Sequence, residues 1–230
     1  MTAPQYTFPP PPTSALPTAD GELFPVRRVY CVGRNYADHA LEMGHDPDRE
    51  PPFFFQKNPQ DLVVDGLFPY PARSQDVHHE LELFVFLQQG GRQIDEEEAL
   101  GCVWGYSLGL DMTCRDIQAE AKAKGRPWID AKAFPRSAPV GMLQSASAIG
   151  HPTSGALELR VNGELRQRGD LNQQIWTVPE IIANLSQRFE LAAGDVVMTG
   201  TPSGVGPVQR GDRIDGLIEG VGELVVTVTE

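Results

Sequence analysis

His78-His79-Glu80-Leu81-Glu82-Leu83-Phe84-Val85-Phe86-Leu87 decides the reading of this chain. In an extended strand alternate side chains point to opposite faces, so Glu80 and Glu82 share one face while Leu81, Leu83 and Val85 share the other. The apolar run through Leu87 marks a buried strand, in which two like charges are costly without a cation between them. A third carboxylate, Asp111, closes Cys102-Val103-Trp104-Gly105-Tyr106-Ser107-Leu108-Gly109-Leu110, a second strand-like run. All-oxygen ligation suits a hard divalent ion, Mg²⁺, Mn²⁺ or Ca²⁺, rather than zinc. The same residues also fit a strand with one wetted polar face and Asp111 in a turn, because Glu-x-Glu is short and common.

Outward from that strand the pattern stays strand-rich. Residues 27–32 and 53–56 read as strands, and 65–75, rich in Pro and Gly, as loop. Asn162-Gly163, between Leu157-Glu158-Leu159-Arg160-Val161 and Glu164-Leu165-Arg166, signals a two-residue hairpin, and strands follow at 196–199, 212–219 and 223–229. Helices are few. Asp95 with Glu98 caps a short one, Thr113 or Asp111 caps another over 115–124 that ends at Gly125, and Thr177-Val178-Pro179-Glu180 opens a third toward Phe189. No repeat recurs at a fixed period, which argues against a propeller or solenoid. The fold class is therefore α+β, strand-rich with a few short helices. Pro9, Pro10, Pro11 and Pro12, with Pro17 and Pro25, predict an extended Pro-rich strap over residues 1–25, with the domain proper over 26–230.

Composition narrows the function classes. Lys and Arg number 19 against 31 Asp and Glu, a formal net charge of −12, which speaks against nucleic acid or an anionic membrane as partner. Cys31, Cys102 and Cys114 are odd in number and lack C-x-x-C spacing, so neither a disulfide framework nor a thiolate metal site is indicated. The first residues show no basic segment followed by an apolar core, and no run of apolar residues is long enough to span a bilayer. A soluble, cytoplasmic protein is the expectation.

Other segments carry chemistry. Cys31-Val32-Gly33-Arg34-Asn35-Tyr36-Ala37-Asp38-His39-Ala40-Leu41-Glu42-Met43-Gly44 reads as a strand, a glycine turn and a short helix capped by Asn35 and stopped by Gly44. His39 and Glu42, at i and i+3, fit a base with its orienting carboxylate, and equally an ion pair on a surface helix. A helix of two turns is marginal alone, so the segment also suits a lid ordered by ligand. Beyond Asp111, Arg115 and Gln118 share a helix face. Lys132, in an otherwise apolar stretch, either snorkels to water or serves an anion. Thr199-Gly200-Thr201-Pro202-Ser203-Gly204-Val205-Gly206 offers N–H groups and hydroxyls to a carboxylate, or is a plain glycine turn.

In this order, Val32-Gly33-Arg34-Asn35-Tyr36-Ala37-Asp38-His39, His79-Glu80-Leu81-Glu82, Asp111 with Arg115-Asp116-Ile117-Gln118, Arg126-Pro127-Trp128 before Lys132, and Thr199-Gly200-Thr201-Pro202 with Gly204-Val205-Gly206 resemble the fumarylacetoacetate hydrolase family. The resemblance runs from about residue 26 to residue 230, and within the family it is nearest to fumarylpyruvate hydrolases. It implies a mixed β-roll and cleavage of a carbon–carbon bond in a 1,3-diketo acid, a small-molecule substrate. It further implies Mg²⁺ or Mn²⁺ held by Glu80, Glu82 and Asp111, with Ca²⁺ also compatible. His39, oriented by Glu42, would activate water, Lys132 would stabilise the oxyanion, and Arg34, Arg115, Gln118 and Thr201 would bind substrate. A homodimer is expected. The far carboxylate of fumarylpyruvate would meet a cation of the 53–57 loop or of the 45–49 segment. Gln56-Lys57-Asn58-Pro59 departs from relatives in which lysine runs straight into proline. The same metal and enolate chemistry also serves oxaloacetate decarboxylation or diene dioate isomerisation, and a non-catalytic Ca²⁺-binding module is the reading from another class.

Overall fold

The computed structural model of the chain describes residues 5–37 and 50–230. The strand Leu81–Leu87 runs through its centre, every residue of it buried. Alternation divides the side chains between two cores: Leu81, Leu83, Val85 and Leu87 enter the larger, Phe84 and Phe86 the smaller. Covering both faces explains why the apolar run is unbroken after Glu82. The strand pairs antiparallel with Val103–Leu110 on one side and with Asp195–Met198 on the other. Gln144–Ser145 completes one edge of this six-stranded sheet, and Arg28–Gly33 followed by Phe53–Lys57 completes the other. The Asp195–Met198 and Arg28–Gly33 pair is parallel, so the sheet is mixed.

A second sheet, in the order Glu164–Asp170, Ala156–Val161, Arg213–Ile218, Gly222–Thr229 and Leu67–Pro69, packs on the first. Its inward residues Leu157, Leu159, Ile214, Ile218, Val226 and Val228 join Leu81, Leu83 and Leu108 in the larger core. Each such side chain contributes about 1.5–3 kcal/mol on burial, so the inter-sheet layer dominates the stability of the roll. The helix Val178–Arg188 adds Val178, Ile181, Ile182 and Leu185 to the same core. It starts as its sequence predicts, Thr177 N and Oγ1 both donating to Glu180 Oε2 with Pro179 in the first turn. The Asn162-Gly163 hairpin forms with both turn residues at positive φ, 52° and 83°, the geometry of a type I′ turn.

Three local expectations are corrected. Residues 15–25 are a packed element rather than extended chain: Ala15–Pro17 pairs with Leu23–Pro25, and Leu16 and Phe24 are buried, the Phe24 ring standing edge-on to Phe86 at 5.2 Å. The 65–75 loop contains the strand Leu67–Pro69, which hides Phe68 completely. The helix Arg115–Ala123 is preceded by Cys114 at its cap position, because Thr113 and Asp111 turn their side chains toward other charges. The short helix that Asn35 is expected to cap lies outside the described residues; the Asn35 amide bridges to Trp176 and Thr199. Among the described residues, no helix is long and apolar enough to cross a membrane, and all three cysteines are free and buried.

Candidate active site

Glu80 interrupts the line from Val77–His79 into Leu81–Leu87, and Glu82 follows on the strand, both carboxylates buried. Asp111 lies just past the end of Val103–Leu110, its backbone N–H donating to Glu80 O at 2.8 Å, which fixes the two strand ends together. Glu80, Glu82 and Asp111 each bring a carboxylate oxygen to within 4.8 Å of the others, all three buried. Burial, reinforced by Asp111 and Glu80, pushes the Glu82 carboxyl well above the usual range.

Cations surround it. Lys132 Nζ donates to Asp111 Oδ2 at 2.6 Å and to Glu80 Oε2 at 3.0 Å. Burial alone would lower the pKa of this ammonium, but Asp111 and Glu80 outweigh burial and raise it. Lys57 Nζ stands 2.9 Å from Asp111 Oδ1 and donates to Ser137 Oγ at 2.9 Å, to Met112 O and to Lys132 O. Its contact with Asp111 is a charge pair and not an aligned hydrogen bond, so the buried Asp111 Oδ1 is compensated by the Lys57 charge but has no aligned hydrogen-bond donor among the described residues. Three hard oxygen donors converging, one of them without an aligned hydrogen bond, are what a divalent cation requires. The residues therefore fit a metal of the Mg²⁺ or Mn²⁺ kind.

Arg115 braces Glu80 and not Asp111: its Nη2 reaches Glu80 Oε1 at 2.6 Å, and its Nη1 donates to Gln118 Oε1 at 2.8 Å. Gln118 thus keeps its amide N–H groups without a partner among the described residues. The Thr199 to Gly206 loop does offer an N–H to a carboxylate, but to the protein's own: Gly200 N donates to Glu82 Oε2 at 2.8 Å. Gly200 sits at φ 96°, and a Cβ there would fall 2.8 Å from Asn35 Cβ, so only glycine closes this turn. The Thr201 hydroxyl is committed, donating to Leu81 O at 2.8 Å and accepting from Gln167 Nε2 at 2.8 Å.

Gln167 itself carries four bonds, accepting Leu81 N and His79 Nδ1 on Oε1 and donating to Thr201 Oγ1 and Pro202 O. Burial holds His79 neutral, its pKa lowered to about 4.

Lys132 also forms part of the wall of a cavity of about 480 Å³ whose aromatic lining includes Phe53, Phe55 and Trp128. The Phe53 and Trp128 rings meet edge to face at 5.4 Å, and the Arg34 guanidinium rests over Phe53 at 5.4 Å. Gly33 makes room for this, since a Cβ at that position would lie 2.0 Å from Phe53 Cζ. Arg34 holds a left-handed φ of 61°, uncommon outside glycine and costly by roughly 1–2 kcal/mol.

The structure thus brings together Glu80, Glu82, Asp111, Lys132, Arg115 and Gln118, with Arg34 over the Phe53 ring and Thr201 bonded to Leu81 next to Glu82. His39, Glu42 and the 45–49 segment lie outside the described residues. Lys57 does not face a far carboxylate: it is buried against Asp111. Gln167 was given no role by the sequence.

A roll of mixed strands holds a buried Glu-Glu-Asp cluster that fits a divalent metal ion and is joined through Lys132 to an aromatic-lined cavity. The family model described as fumarylacetoacetate (FAA) hydrolase C-terminal matches residues 28–229, and the chain belongs to this fumarylacetoacetate hydrolase family. It is 50% identical to the fumarylpyruvate hydrolase of Pseudomonas aeruginosa, whose crystal structure holds Mn²⁺ and pyruvate. That likeness covers 98% of this chain and 99% of the other at a TM-score of 0.95. It is also 43% identical to the mitochondrial oxaloacetate tautomerase of Bos taurus, over 85% of this chain and 88% of that protein. With the oxaloacetate tautomerase of Escherichia coli it shares 42%, over 86% and 90%. The matched enzymes are thus named as hydrolases and as tautomerases.

Proposed function

We propose that this chain hydrolyses the carbon–carbon bond of a 1,3-diketo acid, with fumarylpyruvate as substrate and fumarate and pyruvate as products, in ring breakdown of the gentisate type. One observation carries the reading: Lys132, bonded to Glu80 and Asp111 of the carboxylate cluster, is also part of the wall of an aromatic-lined cavity. The likeness to an enzyme that holds Mn²⁺ and pyruvate supports it.

Glu80, Glu82 and Asp111 would hold Mg²⁺ or Mn²⁺. When bound, the ion supplies a Lewis acid that chelates an α-keto acid and spreads the charge of the departing carbanion. Three carboxylates, two positive charges of the ion and the cations Lys57, Lys132 and Arg115 leave the set at a net +2, which suits a dianionic substrate. His39, oriented by Glu42, takes a proton from water as the oxygen attacks the distal carbonyl. Lys132 steadies the oxyanion that forms there. The water oxygen ends in the fumarate carboxylate, and a proton ends on the methyl carbon of pyruvate. Gln118 and Arg34 contact substrate oxygens. Arg115 acts through Glu80 and Gln118, and Thr201 shapes the floor through its bond to Leu81. Assembly as a homodimer belongs to the same reading.

The tautomerase relatives favour a second reading, in which the same cluster binds oxaloacetate and only a proton moves. Purified protein with Mn²⁺ should convert fumarylpyruvate to equimolar fumarate and pyruvate. Keto–enol interconversion of oxaloacetate with no acids released from acylpyruvates would select the tautomerase reading instead.

A further inference from the structure

The cavity beside the carboxylates carries two cationic side chains on its wall, Lys132 and Arg126. Lys132 is buried and spent on Asp111 and Glu80. The other cations nearby are also engaged: Arg115 by Glu80 and Gln118, Arg34 over Phe53, Lys122 over Trp128 at 5.2 Å, and Arg188 by Pro52 O and the Phe54 ring. Arg126 differs. Its guanidinium has no hydrogen bond or ion pair among the described residues, leaving five donors for a ligand.

Its backbone is nonetheless fixed. The helix Arg115–Ala123 ends with Gly125 at φ 60°, Gly125 N donating to Lys122 O and Arg126 N to Ala121 O at 2.8 Å, a helix-terminating turn that glycine permits. Pro127 follows and restricts Arg126 to extended conformations, and Trp128 is part of the cavity wall. A planar fork of donors on a rigid turn, above aromatic walls, is suited to grip one carboxylate bidentately.

We propose that Arg126 binds the far carboxylate of the substrate and so makes the enzyme selective for dicarboxylic acylpyruvates, an inference that rests on the hydrolase reading above. The pyruvate end lies at the carboxylate cluster, and a flat unsaturated acyl group runs along the wall made by Phe53, Phe55 and Trp128 to the guanidinium.

The test compares kcat/KM for fumarylpyruvate and acetylpyruvate, which lacks the far carboxylate, in wild type, Arg126→Leu, Arg126→Lys and Lys122→Ala. Wild type should prefer fumarylpyruvate. In Arg126→Leu that preference should fall by about ten- to a hundredfold, the worth of a charge-assisted pair, with the loss in KM and with a matching weakening of inhibition by fumarate. Arg126→Lys should recover part of it. A preference kept within about threefold in Arg126→Leu, or lost in Lys122→Ala instead, overturns the assignment while leaving the hydrolase intact. Equal use of both substrates by wild type does the same. A wild type that releases acids from neither overturns the hydrolase reading and this inference together.

Discussion

Lys132 Nζ lies 2.6 Å from Asp111 Oδ2, both side chains nearly or fully buried, so the cation proposed to act on the oxyanion is also a counter-ion of the metal cluster. Removing one member of a buried pair leaves an uncompensated charge, which costs about 3–5 kcal/mol. Lys132→Met should therefore lower the melting temperature of chelated protein, and Mn²⁺ should restore more stability to it than to wild type. Turnover should drop by roughly a hundred- to a thousandfold, while calorimetry still detects Mn²⁺ binding. A variant that no longer binds Mn²⁺ would make Lys132 a purely structural residue.

Among the described residues, Glu82 is the carboxylate of the three that pairs with no cationic side chain; its bond is to Gly200 N. Glu82→Gln keeps the shape and that acceptor but removes a charge. It should lose Mn²⁺ affinity in titration calorimetry and with it the turnover of fumarylpyruvate. Wild-type activity that survives exhaustive chelation would count against the metal role altogether.

His39→Ala should leave Mn²⁺ and pyruvate-like inhibitors bound and cut turnover by roughly a hundredfold or more, the usual scale of a lost general base. Loss of metal in this variant would show His39 to be a ligand or a structural residue.

His79 predicts a pH dependence of stability. Burial lowers its pKa to about 4 from the ordinary 6.5, so between those values the unfolded chain binds a proton that the folded chain does not. Stability must then fall as pH drops from about 6.5 toward 4, by at most about 3 kcal/mol from this group. His79→Asn preserves a donor for Gln167 and removes the titration. Its melting temperature in chelator should decline less steeply than that of wild type across this window, and parallel profiles would refute the assignment.

The period-two alternation of Glu80, Leu81, Glu82 and Leu83 made the central strand and two of the three clustered carboxylates legible, because a strand buried on both faces leaves no other place for them. Thr177 and Glu180 announced their helix through the capping box. Gln167 stayed hidden for a physical reason. In Glu164-Leu165-Arg166-Gln167-Arg168 a regular strand would put Leu165 and Gln167 on one face, yet the register slips opposite Leu159 and Arg160, so that the polar Gln167 is fully buried while the apolar Leu165 faces out. A bulge of one residue leaves little trace in composition. Lys57 was obscured in another way: a lysine at the end of a strand reads as a cation open to substrate, and only the tertiary approach of Ser137 and Lys132 O shows that it is enclosed.

The turn at Gly125 and Arg126 separates two regimes of tolerance to mutation. Substitutions at Glu82, Asp111 or Gln167 strand buried polar partners and put the fold itself at risk. Arg126 stands exposed on a turn whose backbone bonds do not depend on its side chain, so exchanging it should alter stability by no more than about 0.5 kcal/mol. Relatives could thus diverge in the acids they accept by drift at this rim while inheriting the same metal floor. A library randomised at this position is the economical starting point for redirecting the enzyme to new acyl groups.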